Sequence, residues 1–393
     1  MHVVVAGAGV AGLETALALD AFAREYVSVE VVAPEREFAY QPLAVAEPFR
    51  VGEVRRFPLD RLIEAAGAQL REGRVVDLDA DAKQALLADG VAVAYDALVL
   101  ALGAQPGEAV PGALTFRGAQ DRAALAELLD RAMAGELQRL VFTVPQATGW
   151  VLPLYELAFL AAEFLTDHLT RGVEVTLVTP EERPLGLFGT RASNAISELL
   201  ELRGIRIETE TVALAWADGT LSLDGGRELT ADAVVALPEL VGPRIEGVPQ
   251  DESGFVATDQ LGGVLGLTDV YAAGDLTQSA IKQGGLATQQ ADSVASAIAA
   301  DAGAPMEPTP YSPVLRGLLL TGLTPRFIRA EGSASVVDTQ PLWWPPAKIV
   351  GRYLSPFLAE HLGLATTFAE PPDHALPVEI ALESPNHASW SAV

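Results

Sequence analysis

The chain has 393 residues with 52 acidic and 26 basic side chains, a formal net charge of -26 and no cysteine. Its length favours two or three domains, since a single core usually stops growing at roughly 250 to 300 residues. The negative charge disfavours nucleic acid and anionic lipid surfaces as partners, and the absence of cysteine excludes redox dithiols, thiolate nucleophiles, iron–sulfur clusters and disulfides.

No secretory leader and no membrane span are expected from the pattern of apolar residues. The longest uncharged apolar run, residues 140–155, is broken by Pro145, Gly149 and Pro153. We therefore predict a cytoplasmic protein without a transmembrane segment. For the tryptophan-bearing residues 342–358 two interpretations stay open, a peripheral contact with a membrane or a quinone, and packing of the aromatic rings against the protein body.

The N-terminus predicts a strand, a glycine-rich turn and a helix. Residues 2–6 are apolar, as in a central parallel strand, and residues 13–22 have helical spacing. The turn between them reads G-x-G-x-x-G, whose glycines permit a tight turn, the approach of a pyrophosphate and close packing of helix on strand. We predict a nucleotide site at this helix N-terminus. Its residues are Gly7, Gly9, Val10, Ala11 and Gly12.

A second predicted strand, residues 27–33, ends about where a dinucleotide fold carries an acidic residue for the adenosine ribose. Glu35 lies just past this strand and is our candidate, the alternative being a solvated loop glutamate. It is preferred over Glu30, which lies within the apolar strand. The residues that follow supply further candidates for cofactor contacts. These are Arg36, Gln41 and Pro42.

Two later segments each combine an apolar strand with a small-residue turn, residues 95–104 (YDALVLALGA) and residues 269–275 (DVYAAGD). Together with the first motif they resemble the three FAD signatures of the pyridine-nucleotide-linked flavoprotein reductase superfamily. The resemblance implies bound FAD, with Asp275 bonding the ribityl chain and pyrophosphate region, and a carboxylate is a good acceptor for hydroxyl groups. The cofactor contacts assigned in this central part of the chain are Val76, Ala101, Leu102, Gly103, Gly274 and Asp275.

Residues 281–292 lead into an alanine-rich helix that the sequence predicts over residues 293–300. In the resembled superfamily this helix directs its N-terminus at the flavin pyrimidine ring, where negative charge collects on reduction. The resemblance implies that the backbone N–H groups of Leu286 and Ala287, next to Gly285, stabilise that charge. Lys282 is a candidate catalytic residue that adds positive charge there, and its alternative is a lysine in solvent.

Three segments narrow the resemblance to the branch that contains type II NADH dehydrogenases and sulfide:quinone oxidoreductases. They are residues 34–43 (PEREFAYQPL), 150–156 (WVLPLYE) and 284–290 (GGLATQQ). The likeness covers roughly residues 1–330. It implies an FAD-dependent oxidoreductase that passes electrons from a reduced donor through the flavin to a quinone or another acceptor. The lack of cysteine excludes both the cysteine-dependent oxidation of sulfide and disulfide reduction.

The second dinucleotide fold departs from the pattern. Its first strands are predicted at residues 139–144 and 173–178, yet the turn at residues 145–150 (PQATGW) has one glycine, and its proline lacks a backbone donor. NAD(P)H is therefore one candidate donor, with Gly149 and Glu156 as remnants of its site. The alternatives are another small-molecule or protein donor, and a non-catalytic FAD-binding protein. Glu156 is also a candidate catalytic residue, its alternative being a carboxylate on a helix face.

The predicted fold class is α/β, with two Rossmann-like dinucleotide-binding domains and a small C-terminal region. An FAD-binding domain, residues 1–105 and 250–304, encloses an NAD(P)-type domain, residues 106–249. A proline-rich linker then opens the C-terminal region, residues 305–393. A homodimer is a candidate assembly. The five histidines lack metal-ligand spacing, so we predict no metal site.

Overall fold

Two five-stranded parallel sheets organise the computed structural model, which describes residues 1–146 and 149–361. The elements up to the end of the first connection are β1 (His2–Ala6), α1 (Val10–Ala23), β2 (Ser28–Ala33), β3 (Glu37–Ala39), a 3-10 helix (Gln41–Phe49), β4 (Arg56–Pro58), α2 (Leu59–Ala65), β5 (Gln69–Glu72), β6 (Val75–Asp79), β7 (Gln84–Leu87), β8 (Ala92–Ala94), β9 (Ala97–Leu100) and β10 (Gln105–Pro106).

The middle of the chain forms a second set of elements. They are β11 (Leu114–Thr115), a 3-10 helix (Ala119–Asp121), α3 (Arg122–Met133), β12 (Arg139–Thr143), α4 (Leu152–Asp167), β13 (Glu174–Val178), a 3-10 helix (Gly186–Phe188), α5 (Thr190–Leu202), β14 (Arg206–Glu208), β15 (Ala213–Ala217), β16 (Thr220–Leu223), a 3-10 turn (Asp224–Gly226), β17 (Glu228–Thr230), β18 (Ala233–Ala236) and β19 (Leu240–Val241). The remaining elements are β20 (Val270–Ala272), a 3-10 helix (Gly274–Leu276), α6 (Gly284–Asp301), β21 (Leu315–Leu319), β22 (Arg326–Glu331), β23 (Ala334–Asp338) and α7 (Leu354–His361).

The first sheet has the order β20-β9-β1-β2-β5, and all its pairings are parallel. Its central strand β1 is apolar because both faces are covered. Val3 and Val5 pack towards α1 and α6, while Val4 packs towards the antiparallel sheet β6-β7-β8. Strand β20 joins this sheet only after the whole second set of elements, so the first unit is interrupted by the second.

The second sheet repeats this architecture. Its order is β11-β18-β12-β13-β14, again with parallel pairings, and the antiparallel sheet β15-β16-β17 accompanies it. The predicted pair of Rossmann-like units is confirmed. The two connections between the units run side by side, because Gln105 pairs with Val241 in the antiparallel pair β10-β19. The domain boundaries given above stay a prediction.

The C-terminal region packs on both units. The antiparallel sheet β21-β22-β23 lies against α4, and Gly317 comes so close that an added Cβ would lie 2.7 Å from Leu152 Cδ1. Residues 342–354, which we call the C-terminal strap, follow this sheet. In the strap, Ile349 N–H donates to the Tyr40 hydroxyl at 3.1 Å. The strap thereby ties the C-terminal sheet to the first unit.

The strap tryptophan Trp343 packs against the protein body, which agrees with one of the two interpretations of these aromatic residues. Its side chain is 7% exposed, its ring meets Phe327 edge-on with 5.1 Å between centroids, and Nε1–H donates to the Ala347 carbonyl at 3.0 Å. Within residues 1–146 and 149–361, no helix combines the length and the apolar character that crossing a bilayer requires.

Candidate functional site

Two adjoining cavities open at the carboxyl ends of the strands of the first sheet. The smaller has a volume of about 300 Å³ and the larger about 680 Å³. Because they share part of their lining, they form one elongated space that runs along the start of α1. The residues common to both linings are Ala8, Gly9, Val10, Glu35, Asp275 and Gly284.

The three glycines of the first motif have different surroundings. Gly7 has φ +105°, and a Cβ there would lie 2.4 Å from the Ala101 carbonyl oxygen. A Cβ on Gly12 would lie 1.9 Å from the Gly7 carbonyl oxygen, whereas one on Gly9 would meet nothing within 4 Å. Gly7 and Gly12 are therefore required by the fold, while Gly9 leaves open space at the cavity wall. That open cradle at the N-terminus of α1 fits a pyrophosphate.

Asp275 lines both cavities and has no hydrogen-bond partner among the described residues. Burial raises the pKa of its carboxyl to about 6, while the nearby charge of Lys282 acts in the opposite direction. A buried polar group usually has a partner, so an unpaired acceptor on a cavity wall points to a ligand with donors. The hydroxyl groups of a ribityl chain meet this requirement.

Helix α6 begins at Gly284, well before the predicted start at residue 293. Its N-cap is Gln283, whose side-chain oxygen accepts from Leu286 N–H at 2.9 Å, while Ala287 N–H donates to the Gln283 carbonyl at 2.9 Å. The two amides that the resemblance assigned to the flavin thus donate within the helix, and their contact with the flavin stays a prediction. The first two amides of the helix, Gly284 and Gly285, have no acceptor among the described residues, as expected for a helix start.

Lys282 is half-buried on the cavity wall, which favours a place in the site over the alternative of a lysine in solvent. Its Nζ donates to the Thr277 carbonyl and lies 3.5 Å from the centroid of the Phe255 ring. Burial lowers the pKa of its ammonium to about 8, and the charge of Asp275 opposes this shift. A positive group next to an unpaired carboxylate therefore marks the middle of the site.

Glu156 lines the larger cavity and is fully buried in an ion pair that the sequence did not predict. Lys348 Nζ from the strap donates to both of its carboxylate oxygens, at 2.7 and 2.6 Å, and Leu320 N–H donates at 2.9 Å. Burial raises the pKa of Glu156, and Lys348 opposes the shift. The sequence offered one indication of this role, because Lys348 is the single charged residue in the apolar segment LWWPPAKIV.

Of the two ribose candidates, the structure leaves Glu35 available. Glu30 is paired with Arg71, whose Nε donates at 2.7 Å, whereas Glu35 is exposed and lines both cavities. Other predicted contacts also line the cavities. In the larger one these are Gln41 and Pro42, and in the smaller one Gly7, Ala11, Ala101, Leu102, Gly103, Gly274 and Ala287.

Some predicted contacts lie away from both cavities. Arg36 is exposed and paired with Glu72 at 2.7 Å. Val76 is 39% exposed, because side chains alternate along β6, and its neighbour Val75 lines the smaller cavity in its place. A second group of predicted contacts lies behind the cavity walls. Sequence spacing alone could not distinguish these residues from the ones that line the cavities. The residues of this second group are Gly12, Gly285 and Leu286.

A third cavity, of about 540 Å³, lies in the second unit and is lined by Gly149, Val151 and residues 181–183, among others. Glu181 follows β13 and accepts from the Tyr155 hydroxyl at 2.5 Å, and burial raises its pKa. A Cβ on Gly149 would lie 1.7 Å from the Ala280 carbonyl oxygen, so this glycine is required where the turn meets the first unit. Ala147 and Thr148, within the same turn, lie outside the described residues.

Comparison with known sequences gives one family model, described as "Pyridine nucleotide-disulphide oxidoreductase", which matches residues 1–291. The ferredoxin reductase component of chlorobenzene dioxygenase from Cupriavidus sp. (strain PS12) is 26% identical over 347 residues, which covers 80% of this chain and 78% of that protein. An NADH dehydrogenase-like protein of Mycobacterium tuberculosis is 28% identical over 291 residues, covering 70% of this chain and 72% of that protein.

Comparison with solved structures supports the same fold. The sulfide:quinone oxidoreductase of Aquifex aeolicus superposes with a TM-score of 0.79 at 17% identity, covering 98% of this chain and 96% of that chain. A ferredoxin reductase from Rhodopseudomonas palustris gives 0.60 at 21% identity, with 84% and 81% covered. At these identities the likeness shows the architecture alone.

Proposed function

Because the chain belongs to the pyridine nucleotide-disulphide oxidoreductase family, whose members depend on FAD and bind NAD(P)H, we propose that it transfers electrons from NADH through bound FAD to a small-molecule acceptor. When bound, the flavin supplies the hydride-transfer and electron-transfer chemistry. The protein supplies binding, orientation, charge and exclusion of water. The family expected from the sequence signatures is confirmed.

The unpaired Asp275 carboxylate between the two cavities is the observation that carries this proposal. An elongated dinucleotide such as FAD carries its pyrophosphate in the middle, so it needs a phosphate cradle with space on both sides, and Gly9 lies where the two cavities join. The open wall at Gly9 would hold the pyrophosphate, and Asp275 would accept from the ribityl hydroxyls beside it. The amide of Gly284, which lines both cavities at the positive end of α6, would stabilise negative charge that develops on the flavin.

Two ammonium groups and a helix start surround the larger cavity. Lys282 lies beside Asp275, and Lys348 is paired with Glu156. Positive groups at these positions would stabilise the negative charge that a flavin gains on reduction. The apolar walls at Trp150 and Phe255 help to exclude water from the reacting atoms. In this proposal Glu156 and Lys348 position the site, while Lys282 adds charge to it.

The third cavity supports NADH as the donor. It lies at the ends of the second set of parallel strands, where dinucleotide folds bind their ligand. Glu181 and Glu182 follow β13, at the place where an acidic residue accepts from the ribose 2′-hydroxyl. Two carboxylates there would repel the 2′-phosphate of NADPH, and Arg183, which is paired with Glu182 at 2.7 Å, offsets only part of that repulsion. The names of the relatives, which include ferredoxin–NAD(+) reductase and NADH dehydrogenase-like proteins, agree with this donor.

A donor without a nicotinamide is the second candidate, and the turn after β12 favours it. Pro145 lacks an N–H group, and the Ala280 carbonyl closes the Cβ position of Gly149, whereas that of Gly9 in the first unit is open. The site in the second unit then serves as scaffold, and electrons reach the flavin from another small molecule or from a protein. The acceptor also has an alternative. Some relatives are named as ferredoxin reductases, so a protein could accept the electrons in place of a small molecule.

Anaerobic mixing of the purified protein with NADH tests the proposal. We expect the visible flavin absorbance to bleach, and NADPH to act at least roughly ten times more slowly because of the two glutamates. If neither nucleotide bleaches the flavin, the nicotinamide donor is wrong. A colourless protein that takes up no added FAD would refute the cofactor itself. A gain of NADH affinity in Pro145→Gly would show that the native turn blocks the nucleotide.

A further inference from the structure

Strand β21 places a cation without an acidic partner on the wall of the larger cavity. Arg316 lines this cavity, and its Nε is buried with no hydrogen-bond partner among residues 1–146 and 149–361. Within the described part of the chain, its guanidinium forms no ion pair and no hydrogen bond. A guanidinium carries five donors and stays charged, so leaving it unpaired in a partly buried position is costly.

The other cations of this cavity each have a partner. Lys348 is bonded to Glu156, and Arg117 Nη1 lies 3.6 Å from Asp121 Oδ1. Lys282 donates to the Thr277 carbonyl and stacks over an aromatic ring. Arg316 therefore differs from its neighbours in the lining, because no hydrogen bond or ion pair among the described residues engages its guanidinium, and only the more distant charge of Glu331 offsets its own.

A second arginine increases this imbalance. Arg329 on β22 lies directly opposite Arg316 in the strand register, is 7% exposed, and also has an unpartnered Nε. Like charges in directly opposite positions destabilise a strand pair. The nearby acid Glu331 is bonded to Arg329 at 2.8 Å. Burial and the charge of Arg329 lower the pKa of Arg316 to about 10.

We propose that Arg316 binds the anionic head of a substrate whose apolar body lies in the larger cavity, the head being a carboxylate or a similarly planar anion. The guanidinium fork matches such an anion with two parallel hydrogen bonds. The apolar lining at Trp150, Phe255 and Leu318 suits a ring-sized body. The inference rests on the proposed function only in placing the substrate beside the flavin, in the part of the larger cavity next to Arg316. What the inference adds to the proposed function is that the substrate carries a negative charge.

Binding of a matched pair of probes to the full-length purified protein tests this site without turnover. The probes are 2-naphthoate and neutral 2-naphthamide, measured by isothermal titration calorimetry. We expect the wild-type protein to bind 2-naphthoate about ten-fold or more tightly than the amide, since hydrogen bonds to charged groups have this size. Arg316→Met removes the difference, and Arg316→Lys, which keeps the charge and loses the fork, retains part of it.

The control is Arg326→Met, which removes an arginine from the same sheet that is bonded to the Thr324 carbonyl and lies outside the cavity lining. It keeps the preference for 2-naphthoate. Equal affinity of the wild-type protein for both probes, or a preference that survives Arg316→Met, refutes the inference. Bleaching by NADH is measured separately. A failure to bleach with an intact preference rejects the donor and leaves the anion site standing.

Discussion

Lys348 Nζ lies 2.6 Å from Glu156 Oε2, and this contact joins residues 192 positions apart in the sequence. The two side chains are 10% and 0% exposed, and the pair lies at the wall of the larger cavity. Helix α4 of the second unit is thereby fixed to the C-terminal strap. The strap also donates a hydrogen bond to Tyr40 of the first unit. The ion pair and this hydrogen bond together join the first unit, the second unit and the strap around the site.

We predict that breaking this pair on one side is strongly destabilising. Lys348→Met leaves the Glu156 carboxylate buried without its partner, which costs about 3–5 kcal/mol. Replacing both partners, with Glu156→Gln added, costs less than Lys348→Met alone because no charge is then buried. Urea unfolding gives the free energies. The control Lys83→Met breaks a half-exposed pair with Asp269 and costs about 1 kcal/mol at most. A similar effect of both lysine variants would contradict the prediction.

The glycine motif predicts two different defects. Gly7→Ala and Gly12→Ala place a Cβ against backbone carbonyls and destabilise the fold by about 3 kcal/mol or more. Gly9→Ala has room in the protein, with φ -79°, and should fold normally. Its methyl group occupies the phosphate cradle, so FAD is lost on gel filtration. Flavin content and melting temperature are measured for all three variants, and a Gly9→Ala protein that keeps its flavin would place the pyrophosphate elsewhere.

Asp275→Asn should weaken FAD binding and stabilise the cofactor-free protein. The hydrogen bonds of a carboxylate to hydroxyl groups contribute about 1.5–3 kcal/mol, so the dissociation constant rises roughly ten-fold or more. In the cofactor-free protein the pKa of Asp275 is raised from 3.8 to about 6, so its ionised form opposes folding. Its contribution to stability therefore falls as the pH rises from about 4 to about 6 and stays level above that.

The asparagine variant lacks this ionisation, and its gain in stability should be larger at pH 8 than at pH 4. Thermal unfolding of the cofactor-free protein at both pH values measures it. The matched variant Asp81→Asn changes an exposed aspartate in the turn after β6 and leaves both flavin affinity and the pH profile as in the wild type. An Asp275→Asn protein with unchanged flavin affinity would remove this residue from the cofactor site.

Removal of the strap tryptophan should affect both stability and cofactor retention. Trp343→Ala deletes a ring packed on Phe327 and a donor to Ala347, which costs about 3–5 kcal/mol. Because the strap also holds Lys348 beside the cavity, FAD should dissociate faster. Stopped-flow release of FAD measures the rate. Leu323→Ala, at a 64% exposed position of the same region, should stay within about 0.5 kcal/mol of wild type.

Local sequence pattern predicted the parallel strands well. The apolar run at residues 2–6 is strand β1, and the segments after residues 139 and 173 are β12 and β13. A run buried on both faces has to be apolar throughout, so its composition identifies it. Helix starts were less accurate. Gly284 and Gly285 look like breakers, yet α6 begins there because Gln283 caps it, and a cap depends on side-chain geometry.

The sequence alone determined the family, the repeated α/β architecture and the absence of thiol chemistry, and it predicted a nucleotide cradle at Gly9, because glycine spacing and composition are local properties. Tertiary structure decided how distant residues meet. It buried Glu156 against Lys348, left Asp275 unpaired between two cavities, and set Arg316 opposite Arg329. These relationships depend on how the second unit and the strap pack on the first. No local pattern specifies that packing, because each of these residues would look like an ordinary surface charge on its own.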